Sequence, residues 1–244
     1  MCEMCRQNSF QGFEPSRRIL LGVAASTMGL LLANAAGAKE RKAPPKPQNV
    51  LTPAASLERL LKGNARYVDG VSLRHDFRHE REALAGGQNP YAAILSCADS
   101  RIAPEYAFDS GRGDLFVCRV AGNFANNESI ASLEYAVAEL GTPLILVLGH
   151  DSCGAVSAAI KSLKDGTTLP GHMPSLVTGI APAVKAVSQQ AGDVLGNAIR
   201  QNVIDNAAKL GSATPILSAA VERGKLKVAG GIYRLRDGRV EMVG

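Results

Sequence analysis

Several residue types and patterns are scarce in this sequence, and two of the shortages exclude a class of protein. There is no tryptophan, and aromatic residues make up only 5% of the 244 residues. The five cysteines are an odd number and too few for the disulfide framework of a small secreted scaffold. The 27 basic and 22 acidic residues leave a net charge of +5, and no block of five like charges occurs. We therefore expect no binding of nucleic acid through a basic tract.

Hydrophobic residues, by contrast, make up 46% of the chain, which is ample for a buried core. This composition excludes a disordered chain and a collagen-like repeat. The length of 244 residues allows one large domain or two small ones.

The N-terminal region has the pattern of an export signal. The pair Arg17 and Arg18 precedes an uncharged run, Leu20–Ala36, which ends in the small residues Ala36-Gly37-Ala38. Paired arginines before such a run are typical of twin-arginine signals, and small residues are typical of a cleavage site. We therefore predict a signal peptide over residues 1–38, a periplasmic mature protein and no stable membrane association after cleavage. The alternative is an uncleaved anchor, since about 17 residues are close to the minimum for a bilayer span.

The remainder of the chain divides into a short tether and one domain. Residues 39–52 are rich in proline and lysine, which predicts an extended surface tether. Residues 53–244 form the predicted domain. Because Cys2 and Cys5 leave with the signal, the mature chain keeps three cysteines, at positions 97, 118 and 153.

Short apolar runs alternate with amphipathic segments along this domain. The apolar runs predict buried strands at Tyr91–Cys97, Leu115–Val120, Leu144–Leu148 and Leu226–Tyr233, and Asp237-Gly238 predicts a turn into a final short strand. The helical patterns are a start at Thr52-Pro53, then Glu80–Leu84, Glu128–Leu140, Cys153–Leu163, Ala181–Val187, Asn197–Leu210 and Pro215–Arg223. We therefore predict an α/β domain whose helices flank a mainly parallel central sheet, with four parallel strands and a C-terminal antiparallel edge strand.

The side chains that follow two of these strands have the types that bind zinc. The first strand runs into Cys97-Ala-Asp-Ser-Arg101, and the third runs into His150-Asp-Ser-Cys153. Ligands of parallel sheets bind at the carboxyl ends of the strands, and Cys and His are ligands suited to Zn²⁺. Three protein ligands leave a fourth position for water, as in catalytic zinc sites. We therefore predict one zinc ion per chain, whereas Cys118, in mid-strand, is expected to pack as a small hydrophobic residue.

Taken together, the two motifs resemble the β-class carbonic anhydrases. The resemblance implies that Cys97, His150 and Cys153 bind zinc and that Asp99 and Arg101 form a catalytic pair. It further implies reversible hydration of CO₂ to bicarbonate and a proton, by attack of zinc-bound hydroxide. Asp99 is also the alternative fourth ligand in a closed state, although we expect the open arrangement, in which Arg101 holds it away from the metal.

The resemblance extends over about residues 53–236 and includes features of the plant-type subgroup. Gln88 stands nine residues before the first cysteine ligand, and Phe116 and Tyr135 match the aromatic residues of that subgroup's substrate pocket. Ile94 replaces the tryptophan of the allosteric bacterial subgroup. The family also implies a homodimer or a higher even oligomer, with these pocket residues at or near the interface.

Other functions compete with this interpretation. The same zinc scaffold can hydrolyse COS or CS₂, and the motifs do not distinguish that activity. A thiol phosphatase with Cys97 as nucleophile is less well matched, because Arg101 is only four residues away and Asp99 between them repels phosphate. A zinc-binding or anion-sensing module without activity would have no use for the carboxylate–guanidinium pair.

Overall fold

The computed structural model describes residues 50–244. The predicted signal peptide and residues 39–49 of the predicted tether lie outside the described residues. Within residues 50–244, no helix combines the length and the apolar character needed to cross a membrane.

The central sheet has five strands, which are β1 (Ala92–Ser96), β2 (Leu115–Arg119), β3 (Leu144–His150), β4 (Lys227–Tyr233) and β5 (Val240–Val243). Their order in the sheet is β2-β1-β3-β4-β5. The first four strands are parallel, whereas β5 pairs antiparallel with β4. The predicted sheet of four parallel strands with a C-terminal antiparallel edge strand is therefore confirmed.

The described part of the chain contains eight helices. They are α1 (Pro53–Val68), α2 (Phe77–Leu84), α3 (Pro104–Ala107), α4 (Asn127–Ala138), α5 (Gly154–Asp165), α6 (Pro174–Ala186), α7 (Val194–Gly211) and α8 (Ile216–Glu222). One face of the sheet packs against α4 to α8, and the other face packs against α1 and α3. All seven residues of β3 are buried between these layers, which explains the uninterrupted apolar run Leu144–Leu148 within it.

The helices α2 and α7 each begin three residues before the predicted start, and two other helices differ more from the sequence prediction. The prediction omitted α3, whose four residues are too few to show a helical period. It also began the helix of α6 at Ala181, seven residues too late, because Gly179 and Pro182 are poor helix formers. Tertiary packing prevails over these propensities. Ile180 is buried in the core, and a side chain at position 179 would come within 2.5 Å of the Phe124 ring.

The helix α1 is attached to the sheet by a buried amide. The Nδ2 group of Asn64 donates to the carbonyls of Ala107 and Gly238, and its Oδ1 accepts from the N–H of Val240. The helix also approaches the chain closely at Gly63, where an added Cβ would lie 1.9 Å from the carbonyl oxygen of Phe108. These contacts place α1 against α3 and the β4–β5 turn.

Candidate metal centre

The three predicted metal ligands meet at the carboxyl edge of the sheet. Cys97 directly follows β1, and His150 is the last residue of β3. The two strands are parallel neighbours, so their carboxyl ends lie side by side. Cys153 is the N-cap residue of α5, one position before the helix begins. The short connection from β3 to α5 returns this second cysteine to the same edge.

The ligand atoms have a spacing that suits a tetrahedral metal. The Sγ atoms of Cys97 and Cys153 are 4.0 Å apart, and all three ligand atoms lie within 4.8 Å of one another. Two sulfurs bound to zinc at about 2.3 Å would be about 3.8 Å apart at the tetrahedral angle. All three residues are buried, with His150 fully inaccessible. The donor set therefore fits Zn²⁺ in its number, type and spacing.

The imidazole of His150 is held in the orientation that metal binding requires. Its Nδ1 atom lies 2.8 Å from the backbone carbonyl of Asp151, to which an Nδ1–H group donates. This contact selects the tautomer whose Nε2 atom carries a lone pair. That Nε2 atom is buried and has no hydrogen-bond partner. Since an orphaned buried polar atom costs free energy, a metal ion is the partner that this nitrogen lacks.

The sulfurs of Cys97 and Cys153 are within hydrogen-bonding distance, so a proton can be shared between them. This hydrogen bond lowers the pKa of the Cys97 thiol and raises the pKa of the Cys153 thiol. The backbone N–H of Gly122 also donates to the Cys97 sulfur, at 3.3 Å. A dication at this position would replace the shared proton and hold both sulfurs as thiolates.

Asp99 and Arg101 form a bidentate ion pair beside the ligand set. The Arg101 Nε donates to Oδ1 at 2.8 Å, and Nη2 donates to Oδ2 at 2.7 Å. The backbone N–H of Arg101 donates to Oδ1 as well. These hydrogen bonds hold the pKa of the Asp99 carboxyl well below its usual range. Because Oδ2 is also 3.8 Å from His150 Nε2, an ionised carboxylate faces the metal position.

Two further residues, Arg119 and Asn202, bind backbone carbonyls next to the ligand set. The sequence prediction did not include either of them in the site. The guanidinium of Arg119, the last residue of β2, donates to backbone carbonyls of the loop that carries Cys97 and Asp99. Asn202 on α7 donates at 2.8 Å to the carbonyl of Gly122, whose N–H faces the Cys97 sulfur. The available sequence signal was the position of Arg119 and Gly122 just at and after the end of β2, at the same sheet edge as the cysteines.

The predicted pocket residues do not join the ligand set within one chain. Phe116 and Tyr135 are close to each other, with ring centroids 6.4 Å apart, and Tyr135 is half exposed. Phe116 pairs with Ala93, four residues before Cys97, which corresponds to about 13 Å along the strand. Gln88 is exposed and precedes β1, at the opposite edge of the sheet from the metal centre.

Cys118 lies apart from the other two cysteines of the described chain. It is half-buried in β2, where it packs against the hydrophobic core. Burial raises the pKa of its thiol, which keeps it protonated. This environment matches the expected role as a small hydrophobic residue.

Comparison with known proteins relates most of the described chain to one family. Residues 92–240 match the family model described as carbonic anhydrase. Carbonic anhydrase 2 of Mycobacterium tuberculosis is 40% identical over 193 residues, which cover 77% of this chain and 91% of that protein. The carbonic anhydrase of Mycolicibacterium smegmatis is 38% identical over 191 residues, which cover 78% of this chain and 93% of that protein. Among solved structures, one of two tetrameric β-carbonic anhydrases of Sordaria macrospora is similar with a TM-score of 0.61 at 26% identity, covering 78% of this chain and 95% of that one.

Proposed function

The chain belongs to the β-class carbonic anhydrase family, and we propose that it catalyses the zinc-dependent, reversible hydration of CO₂ to bicarbonate and a proton. The observation that carries this function is the buried set of Cys97, His150 and Cys153 with the Asp99 carboxylate beside it. Hydrolysis of COS or CS₂ on the same scaffold is not favoured, because the relatives that match over most of the chain are named carbonic anhydrases.

The residues of the centre divide into those that would hold the metal and those that orient the attacking water. Cys97, Cys153 and the Nε2 atom of His150 would hold zinc, which when bound acts as a Lewis acid that makes water acidic enough to attack CO₂ near neutral pH. The Asp99 carboxylate accepts a hydrogen bond from the attacking water and orients it. Arg101 keeps that carboxylate ionised through its two parallel hydrogen bonds.

The test of this function is stopped-flow CO₂ hydration by the purified protein with and without a chelator. We expect activity that a chelator removes and that added Zn²⁺ restores. Metal analysis should find one zinc ion per chain. A protein that contains no zinc, or one whose hydration rate does not respond to the chelator, would contradict the proposal. A protein that hydrolyses COS much faster than it hydrates CO₂ would reverse the choice between the two activities.

The substrate pocket is proposed to lie between two copies of the chain. Phe116 lies about 13 Å along the sheet from the Cys97 ligand of its own chain, and the Tyr135 ring lies beside Phe116. Gln88 precedes β1, at the opposite end of that strand from the ligands. We propose that these three residues of one copy line the CO₂ site of the other copy. The active form would then be a homodimer or a higher even oligomer, and the Gln88 amide would donate to a CO₂ oxygen.

A complementation experiment tests this shared site. The Gln88→Ala and Cys153→Ser variants are each expected to have little activity, the first with zinc retained and the second without it. When the two are unfolded and refolded together, a hybrid contains one site with intact ligands and an intact glutamine from its partner. Recovery of activity supports the shared site. The shared site is wrong if activity stays at the level of the two separate variants. It is also wrong if light scattering shows that the fully active parent protein is a monomer.

Export is a separate proposal, supported only by the sequence of residues 1–38. We propose that the twin-arginine route carries the folded protein to the periplasm and that cleavage after Ala38 releases it with no stable membrane association. The double substitution of Arg17 and Arg18 by lysine should retain active enzyme in the cytoplasm, as fractionation would detect. Unimpaired export would instead indicate the general secretory route, and a full-length protein in the membrane fraction would indicate an uncleaved anchor.

A further inference from the structure

We infer that Arg119 is a positioning residue of this site, because it fixes the backbone of the loop that carries Asp99 and thereby keeps the Asp99 carboxylate paired with Arg101. The inference rests on the proposed function for its catalytic consequence only.

A single guanidinium holds the loop at three points. The Arg119 Nε donates to the carbonyl of Cys97 at 2.9 Å. Its Nη2 donates to the carbonyl of Asp99 at 2.7 Å and to that of Ile102 at 2.9 Å. A guanidinium is planar and rigid, so carbonyls bound to its fork keep fixed positions relative to one another. The loop from residue 97 to residue 102 is therefore fixed at its start, in its middle and at its end.

The position of Arg119 in the sheet explains how it reaches this loop. It is the last residue of β2 and pairs in register with Ser96, the residue before Cys97. The N–H of Val120 donates to the Ser96 carbonyl, which keeps the end of β2 alongside the end of β1. The side chain is thus anchored in the sheet, whereas the carbonyls that it binds belong to the loop.

As a result, Asp99 is held at both ends by arginine. Arg119 binds its backbone carbonyl, which also accepts from the N–H of Ile102 at 3.1 Å, and Arg101 binds its carboxylate. The carboxylate lies within 3.8 Å of the His150 nitrogen, so a small rotation of the loop would bring it onto the metal position. Arg119 opposes that rotation without contacting the reacting atoms.

The experiment compares Arg119→Gln and Arg119→Lys with the parent, and Arg200→Gln, an exposed position on α7, serves as the control. We expect Arg119→Gln to retain one metal ion per chain but to lose about 10- to 100-fold in kcat, the scale of a misplaced catalytic group. Arg119→Lys, which keeps the charge but not the fork, should lie between Arg119→Gln and the parent. The control should match the parent throughout.

Two readouts separate positioning from a loss of folding or of activity. Hydrogen exchange of the Ile102 amide should quicken in Arg119→Gln, whereas exchange in β3 should not change. The cobalt-substituted variant should show an altered visible spectrum, because the Asp99 carboxylate then reaches the metal, and the alteration should vanish when Asp99→Asn is added. The inference is overturned if Ile102 exchange and the spectrum match the parent, or if the spectrum changes equally with Asp99→Asn present. Both readouts decide the inference even if the parent does not hydrate CO₂.

Discussion

The Oδ2 atom of Asp99 lies 3.8 Å from the Nε2 atom of His150 while it accepts a 2.7 Å hydrogen bond from Arg101. The same oxygen thus faces both the metal position and the guanidinium. Its direction depends on a competition between the bidentate pull of Arg101 and the attraction of a bound cation.

Removal of Arg101 should decide this competition in favour of the metal. In Arg101→Ala, Asp99 loses two side-chain hydrogen bonds and is free to occupy the fourth ligand position. We expect zinc content to stay near one per chain while CO₂ hydration falls strongly, as stopped-flow measurement would show. Asp99→Ala should also retain zinc but lose the acceptor that orients water. If Arg101→Ala hydrated CO₂ as fast as the parent, the proposed role of the pair would be wrong.

Replacement of one ligand should remove the metal. Cys153→Ser exchanges a thiolate for a weak hydroxyl ligand, so we expect it to lose most of its zinc and nearly all activity. Thermal stability should fall too, because metal binding is coupled to folding. Metal analysis and thermal unfolding check this result. Cys118→Ser is the matched control, since this half-buried cysteine in β2 is not in the ligand set, and it should keep both zinc and activity.

The amide of Asn202 should contribute to metal affinity from outside the ligand set. Asn202→Leu removes the donor to the Gly122 carbonyl and the acceptor of the Asn206 amide. Each buried polar group left without a partner should lower the free energy of unfolding by about 1–3 kcal/mol. Because Gly122 donates to the Cys97 sulfur, we also expect zinc to bind about 10- to 100-fold more weakly, as competition with a chelator would measure. Asn197→Ala, at the start of the same helix, should change neither the free energy of unfolding nor the affinity for zinc. Zinc binding as tight as the parent's in Asn202→Leu would contradict this role.

The buried amide of Asn64 should matter for stability. Asn64→Leu leaves the carbonyls of Ala107 and Gly238 and the N–H of Val240 without their partner. We expect the free energy of unfolding to fall by at least about 3 kcal/mol, given about 1–3 kcal/mol for each unsatisfied group. Denaturant titration checks this value. The exposed Gln190→Ala should lie within about 0.5 kcal/mol of the parent, and an equally small effect of Asn64→Leu would disprove the anchoring role.

Two glycine substitutions in helices should have different effects on the free energy of unfolding. In Gly63→Ala the new Cβ would lie 1.9 Å from the Phe108 carbonyl oxygen, so α1 must move away from its docking position. We expect a loss of about 1–3 kcal/mol or more in the free energy of unfolding. Gly211→Ala at the end of α7 meets no atom within 4 Å and should be neutral or stabilising by up to about 1 kcal/mol. Thermal unfolding of both variants tests the comparison, and a Gly63→Ala protein as stable as the parent would refute it.

Much of the fold was predictable because burial on both faces of a parallel sheet requires continuous apolar runs. β3 is the clearest case, with all seven residues buried. The α6 helix was predicted only in part, because Gly179 and Pro182 have low intrinsic helix propensity and its stability comes from packing of Ile180 against residues distant in the chain. The signal peptide predicted for residues 1–38 lies outside the described residues and stays a prediction.

The sequence by itself determined the types and the order of the metal ligands, since parallel strands bring their carboxyl ends to one edge and Cys97 and His150 follow two such strands. Only the tertiary structure decided the 4.0 Å separation of the sulfurs, the tautomer of His150 and the residues that hold the loops. Arg119 reaches a carbonyl 22 positions away, and Asn202 reaches one 80 positions away. Their partners are backbone groups that every residue carries, so no side-chain pattern could indicate them. Such contacts exist only once the chain has folded.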